Sequence, residues 1–427
     1  MPLTPLQELY DELRVAQGPS RLQAASMHED PFILKLTQLV LSYGVQSSAS
    51  DIHIEPTAAG ARVRYRIDGM LHEMLRLPQE TSDPFIRAIK VKANLQNEAV
   101  GRSKPQDSRI DFEWNGRKLD LRLSSFPTLF GDVLALRVLD CSAPLLALEQ
   151  VGFPPAMLKE FERLIVRPNG LVLVTGPSGS GKTTTLYAAL NKLKSPRIKI
   201  VTLEDPVEYQ VEGIDQSQVN PAIGLTFASG LRAILRQDAN VILVGEIRDQ
   251  ETADIAIRAA LTGHLVLSTI HTRNSLGAAT RLIDMGIEPH LILSSVNGVV
   301  AQRLVRVICR QCKKPDPLAA KTLTALWTRE TGAAPPPELT LAGLSRGAGC
   351  ASCANTGYHS RVGIFELLTF TDELKQFILD RASGQLATRA AHSGKLRTML
   401  LNGLERAAYG ITTIEEVLRV TGGADDA

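Results

Sequence analysis

Aromatic residues are scarce in this chain of 427 residues, where Phe, Trp and Tyr together make up 5%. Proteins that bind sugars or stack many bases normally carry more rings, so those classes fit poorly. The net charge is also small. Lys and Arg number 47 and Asp and Glu 45, giving +2, whereas a protein that coats nucleic acid is normally more basic. No apolar run is long enough to span a bilayer and no signal peptide is legible, which makes the cytoplasm the expected location. Cysteines number five, an odd count that argues against a secreted disulfide framework. What is present is a hydrophobic share of 44%, in a chain long enough for two to four domains of roughly 150 residues each.

Residues 1–29 form a short polar extension in which Leu6, Leu9, Tyr10 and Leu13 recur at helical spacing behind Thr4 as a candidate N-cap. Packing on its own domain is the ordinary expectation for such a helix, and docking on a partner the alternative. Residues 30–140 read as a small α+β domain. A helical pattern from Pro31 leads to the period-two segment Ala61 to Ile67, a turn signal at Asp68-Gly69 and a further strand at Met70 to Leu75. Another strand candidate runs from Leu119 to Ser125. Residues 145–308 change texture: apolar runs at Leu171 to Thr175, Ile198 to Leu203, Val241 to Val244 and Leu265 to Thr269 alternate with helical patterns. That predicts an α/β core around a parallel sheet buried on both faces. Residues 309–353 read as an insert bounded by CxxC pairs, and 354–427 as a small helical domain, with the helical tail starting beyond Gly363.

The strongest chemical signal is Gly176-Pro177-Ser178-Gly179-Ser180-Gly181-Lys182-Thr183, which fits G-x-x-x-x-G-K-[ST] between an apolar strand and a helix. Its glycines let backbone N–H groups surround a β-phosphate at a helix N-terminus, while Lys182 meets the β- and γ-phosphates and Thr183 holds Mg²⁺. Hydrolysis also needs carboxylates, and two acidic clusters stand at strand ends: Glu204-Asp205-Pro206-Val207-Glu208 and Gly245-Glu246-Ile247-Arg248-Asp249. Glu246 occupies the Walker B position. His264 and His271 flank the next strand. Arg232 and Arg236 share one helix face, and Arg62, Arg64 and Arg66 one strand face. A solvated surface is the ordinary reading of such arginines, and fingers reaching a neighbouring subunit's phosphates the sharper one. Cys309-Arg-Gln-Cys312 and Cys350-Ala-Ser-Cys353 can place four thiolates around one zinc, although the stretch between them is longer than in common zinc ribbons. Such a site has no open position and reads as structural, with Cys141 left as a lone thiol.

These residues together resemble one family, the hexameric ATPases of type II secretion and type IV pilus assembly. The resemblance rests on Ala49-Ser-Asp-Ile-His-Ile-Glu-Pro56, Arg64-Tyr-Arg-Ile-Asp-Gly69, the P-loop, both acidic boxes and Thr262-Gly-His-Leu-Val-Leu-Ser-Thr-Ile-His-Thr272, in order. It implies a RecA-like P-loop core behind a PAS-like α+β domain, Mg²⁺-dependent ATP hydrolysis, and nucleotide contacts from Gly176 through Thr184. It further implies an Asp box of Glu204, Asp205 and Glu208, in which Glu208 is favoured over Glu204 as the water-orienting base. Glu246 is then the Walker B acid, His264 and His271 the His box, and Arg66, Arg232, Arg236 and Arg281 contacts to nucleotide. The implied setting is a homo-hexamer, peripheral on the cytoplasmic face of a bacterial inner membrane, working with a platform protein and a cytoplasmic adaptor and with no nucleic acid. Two departures stand out: only about thirty residues precede the match, where members commonly carry a further docking domain, and Ser108 stands where Gly is usual. A pilus-retraction motor, a nucleic-acid motor and a non-enzymatic scaffold are the rival readings, separable by zinc content, nucleic-acid stimulation and phosphate release.

Overall fold

The computed structural model describes residues 5–17, 30–95, 104–140, 145–337, 339, 341–370 and 397–422. Thr4 and Cys141 lie outside them. Contacts divide the chain into two units, Met1–Pro144 and Leu145–Ala427.

The first unit contains α1 (Pro5–Gln17), α2 (Pro31–Gln46), β1 (Asp51–Thr57), β2 (Gly60–Ile67), β3 (Met70–Pro78), α3 (Gln79–Lys92), β4 (Gln106–Trp114), β5 (Arg117–Thr128) and β6 (Gly131–Asp140). Its strands form one antiparallel sheet in the order β3-β2-β1-β6-β5-β4. Asp30 caps α2 by accepting from the Phe32 N–H at 2.7 Å, and Pro31 starts the helix with a φ already suited to it. The period of two in β2 sends Ala61, Val63 and Tyr65 inward, leaving Arg62, Arg64 and Arg66 on the other face. Asp68 and Gly69 both take positive φ (49° and 83°), the geometry of a two-residue hairpin turn. Leu6 and Tyr10 of α1 are buried in this unit's own core beside Phe32 and Ile33, so the terminal helix packs at home.

The second unit contains α4 (Pro155–Ile165), β7 (Gly170–Thr175), α5 (Lys182–Leu193), β8 (Ile200–Glu204), β9 (Asp215–Gln218), α6 (Phe227–Ile234), β10 (Val241–Val244), α7 (Gln250–Leu261), β11 (Leu265–Ile270), α8 (Ser275–Asp284), α9 (Pro289–Ser295) and β12 (Val296–Ile308). After these come β13 (Lys313–Pro315), α10 (Ala319–Thr331), β14 (Ser345–Gly347), β15 (Tyr358–Thr369), α11 (Met399–Ala408) and α12 (Ile414–Thr421). Seven strands form a sheet in the order β15-β12-β7-β11-β10-β8-β9, parallel except for β15. Apolar residues cover both faces: Leu171, Leu173, Ile242 and Val244 pack under α6 to α9, and Val172, Val174, Val241 and Leu243 under α4 and α5. The residues up to Thr369, which read as the start of a helical tail, are instead strand, because β15 pairs antiparallel along β12 from Gly298↔Thr369 to Ile308↔Tyr358.

Candidate active site

The P-loop leaves the carboxyl end of β7 near the centre of the sheet, the usual place for a ligand in open α/β folds. Glycine is required by the geometry at two positions. Gly176 has φ 154°, and a Cβ there would lie 2.6 Å from the Gln302 carbonyl; Gly181 caps α5 in the left-handed region at φ 86°. Gly179, at φ 75°, faces open space, and the Ser180 hydroxyl is buried without a hydrogen-bond partner. Pro177 and Ser178 are exposed, and Thr183 and Thr184 half-buried on the first turn of α5. This cradle, with an unanswered buried polar atom in its wall and a helix N-terminus at its floor, fits a polyphosphate and its magnesium. Lys182 Nζ donates to the Gly176 (2.9 Å) and Pro177 (3.0 Å) carbonyls. Burial lowers its pKa, Glu246 acts in the opposite sense, and Arg303 adds to the lowering.

The two acidic boxes differ. After β10, Glu246 lies 2.7 Å from Arg248 and 3.5 Å from His271 Nε2. Burial raises its pKa, but the Arg248 hydrogen bond and the charges of Arg248, His271 and Lys182 outweigh that and hold it below the usual carboxylate range. A carboxylate kept ionised within electrostatic reach of the P-loop lysine suits a magnesium site. Asp249 is a helix cap, accepting from the Thr252 N–H at 2.8 Å. After β8, Glu204 is buried (4% exposed) and accepts from Tyr187 Oη at 2.5 Å and Thr202 Oγ1 at 2.6 Å, whereas Asp205 is exposed and 3.6 Å from Arg248. Glu208, half-buried, ends the same box.

The histidines also separate. His271 is half-exposed and faces Glu246, while His264 Nδ1 bonds the Ala259 carbonyl at the end of α7. The four arginines have partners of their own or are exposed. Arg232 pairs with Glu251, Arg236 donates to the Arg232 carbonyl at 2.9 Å, and Arg281 is exposed on α8. Arg66, in the first unit, donates to the Gly69 carbonyl at 3.1 Å and lies 3.5 Å from Asp51.

Several contributors escaped the sequence reading. Gln302 on β12, 2% exposed, donates to the Ser180 carbonyl (2.7 Å) and accepts from Thr185 (2.8 Å), fixing the P-loop from the neighbouring strand. Arg303 donates to the Gln302 (2.9 Å) and Arg273 (2.8 Å) carbonyls and so ties the segment after His271 to the same strand. Neither belongs to a local motif, and the one available signal is polar residues within an otherwise apolar strand.

A second cluster lies beyond the end of β12. Cys309, Cys312, Cys350 and Cys353 bring their sulfurs within 4.8 Å of one another, with pairs at 3.8, 3.8 and 3.7 Å. Zn–S bonds of about 2.3 Å in a tetrahedron require sulfurs about 3.8 Å apart, so the donor set fits zinc. Burial works against ionising Cys353, but the main-chain N–H groups of Cys350 and Gly357 hold its thiol below the ordinary range.

A glycine-rich loop at a helix N-terminus, with its lysine, an ionised acid and a histidine at adjacent strand ends, defines a P-loop nucleotide hydrolase of the doubly wound α/β class. The Type II/IV secretion system protein family matches residues 26–419, and the chain belongs to that family. It is 44% identical over 405 residues to the type II secretion system protein E of Pseudomonas aeruginosa, covering 95% of this chain and 78% of that protein. It is likewise 44% identical over 403 residues to the type II secretion system ATPase E of Vibrio cholerae, covering 94% and 78%. The pilus retraction motor PilT with bound ADP is similar in structure, at TM-score 0.60 and 25% identity over 91% of this chain and 97% of that one. The Legionella pneumophila ATPase DotB shares the fold at TM-score 0.66 and 22% identity, over 91% and 96%. No helix among the described residues is long and apolar enough to cross a membrane.

Proposed function

We propose that the chain hydrolyses ATP as the motor of a type II secretion or type IV pilus assembly system. The observation that carries this reading is the convergence of Lys182, Glu246 and His271 at the carboxyl end of the sheet. Gly176 through Thr184 bind the phosphates, with Lys182 releasing its loop carbonyls to meet the β- and γ-oxygens. Thr183 and Glu246 would hold Mg²⁺, which would supply charge neutralisation for the phosphates. Glu208 orients and deprotonates the attacking water, and His271 reports the γ-phosphate to Glu246. Asp205 holds Arg248 in place, and His264 holds the start of β11. Arg232, Arg236 and Arg281, all exposed, serve the nucleotide of a neighbouring copy in a ring of six. Cycles of closure and release move an inner-membrane platform protein, with the ring peripheral on the cytoplasmic face, and the four cysteines bind a structural zinc. The names of the relatives and the four-cysteine cluster favour secretion or extension over retraction. Phosphate release by the purified chain tests the reading: release that needs Mg²⁺ and is not stimulated by DNA or RNA is expected, and no release removes it.

A further inference from the structure

Tyr187 lies on α5 five residues beyond Lys182, so the helix that begins at the P-loop also carries this side chain to β8. Its ring is buried, 1% exposed, against the edge of Tyr209 at a centroid distance of 4.6 Å. Its hydroxyl donates to Glu204 Oε2 at 2.5 Å. It accepts from Gln216 Nε2 at 3.4 Å. The other Glu204 oxygen accepts from Thr202 at 2.6 Å and Gln216 at 3.4 Å. A phenol can donate and accept at once, and this single hydroxyl does both, joining the start of the segment 204–208 to the P-loop helix and to β9. A carboxylate so deeply committed to hydroxyl donors has no free oxygen for a metal or a water. Glu204 is thereby an anchor at the start of the box.

We propose that Tyr187 is a positioning residue for hydrolysis. It fixes Glu204, the first residue of the acidic box, to the P-loop helix through its hydroxyl, so that the box that ends in Glu208 and the phosphate cradle move as one body. The inference rests on the ATPase reading and deepens it. Burial, and then the adjacent Glu204 carboxylate, keep the Tyr187 phenol protonated far above the usual range, as a permanent donor requires. Burial, followed by the charges of Glu208 and Glu204, pushes Tyr209 up to about 12, so the packed ring beside it is neutral as well.

The test is steady-state Mg²⁺-ATP hydrolysis by the full chain, its Tyr187→Phe variant and its Glu204→Gln variant, with ADP affinity and Tm measured on each. Phe keeps the ring and removes the hydrogen bonds of the hydroxyl to Glu204 and Gln216. The expected result is a fall in kcat of roughly ten- to a hundredfold with KM for ATP and ADP affinity within about threefold of the parent, because a misplaced base costs turnover and not binding. The double variant costs no more than the worse single one, since both act on the same link. An unchanged kcat in Tyr187→Phe overturns the proposal, and so does a loss confined to KM and ADP affinity. Should Tyr187→Phe fail to fold, Glu204→Gln decides, and full turnover in it overturns the proposal. A parent chain that releases no phosphate removes the ATPase reading itself, a result distinct from either.

Discussion

Lys182 donates to two carbonyls of its own loop, and both are bonds that a phosphate can replace when the cradle fills. Glu204 and Glu208 stand at the two ends of one acidic box. Glu204 is committed to Tyr187 and Thr202, whereas Glu208 ends the box on a half-buried residue. Glu208→Gln is accordingly expected to lower kcat by about a thousandfold, the scale of removing a general base, and Glu204→Gln by about tenfold. Steady-state phosphate release on both variants checks the ranking, and equal losses contradict it. The P-loop and both acidic boxes were legible in the sequence because each is local: spacing along the chain determines their geometry. The burial of Glu204 beneath its partners was not legible, because Tyr187, Thr202 and Gln216 come to it from three different elements.

Among elements, β12 and β15 are where sequence pattern and structure diverge. Gln302, Arg303 and Arg306 interrupt the apolar run of β12 because they face the P-loop or the C-terminal helices, so its alternation is hidden. β15 pairs with β12 across the whole cysteine segment, and no local periodicity reports so distant a partner. The same pair holds the C-terminal helices. Arg306 donates to Glu416 at 2.8 Å and stacks over Tyr358 at 4.1 Å, and Arg419 also bonds Glu416. Burial works to raise the Glu416 pKa, but the hydrogen bonds of Arg419 and Arg306 bring it down to about 2. A carboxyl depressed on folding contributes stability above its unfolded value of about 4.5 and loses that contribution as pH falls towards 2. Thermal unfolding is expected to show Glu416→Gln less stable than the parent at pH 7, with the gap closing below pH 4.5, whereas a gap independent of pH contradicts the pairing. The cysteine cluster sits at the end of β12 and lies between it and β15 in sequence. Elemental analysis is expected to find one zinc per chain, and Cys350→Ser to lose the metal and about 5 °C of Tm while nucleotide affinity persists. A metal-free parent of unchanged stability contradicts it.

At the scale of the whole molecule, the chain comprises two units with separate cores, one an antiparallel sheet with helices and the other a doubly wound sheet. That division was visible in the sequence as a change from alternating to continuous apolar runs near Pro144, since a sheet buried on both faces leaves no polar positions on its strands. On the ATPase reading proposed above, the exposed Arg232, Arg236 and Arg281 serve a neighbouring copy, which makes the ring part of that proposal. Mass measurement in solution is expected to show six copies associating with ATP and Mg²⁺, and a monomer at all nucleotide concentrations contradicts the ring. The central claim is hydrolysis at the P-loop, and the most direct measurement is Mg²⁺-dependent phosphate release by the parent and by Lys182→Ala at matched concentration and equal Tm. Release by the parent and none above background by the variant is the predicted result; equal turnover by a folded Lys182→Ala would contradict it.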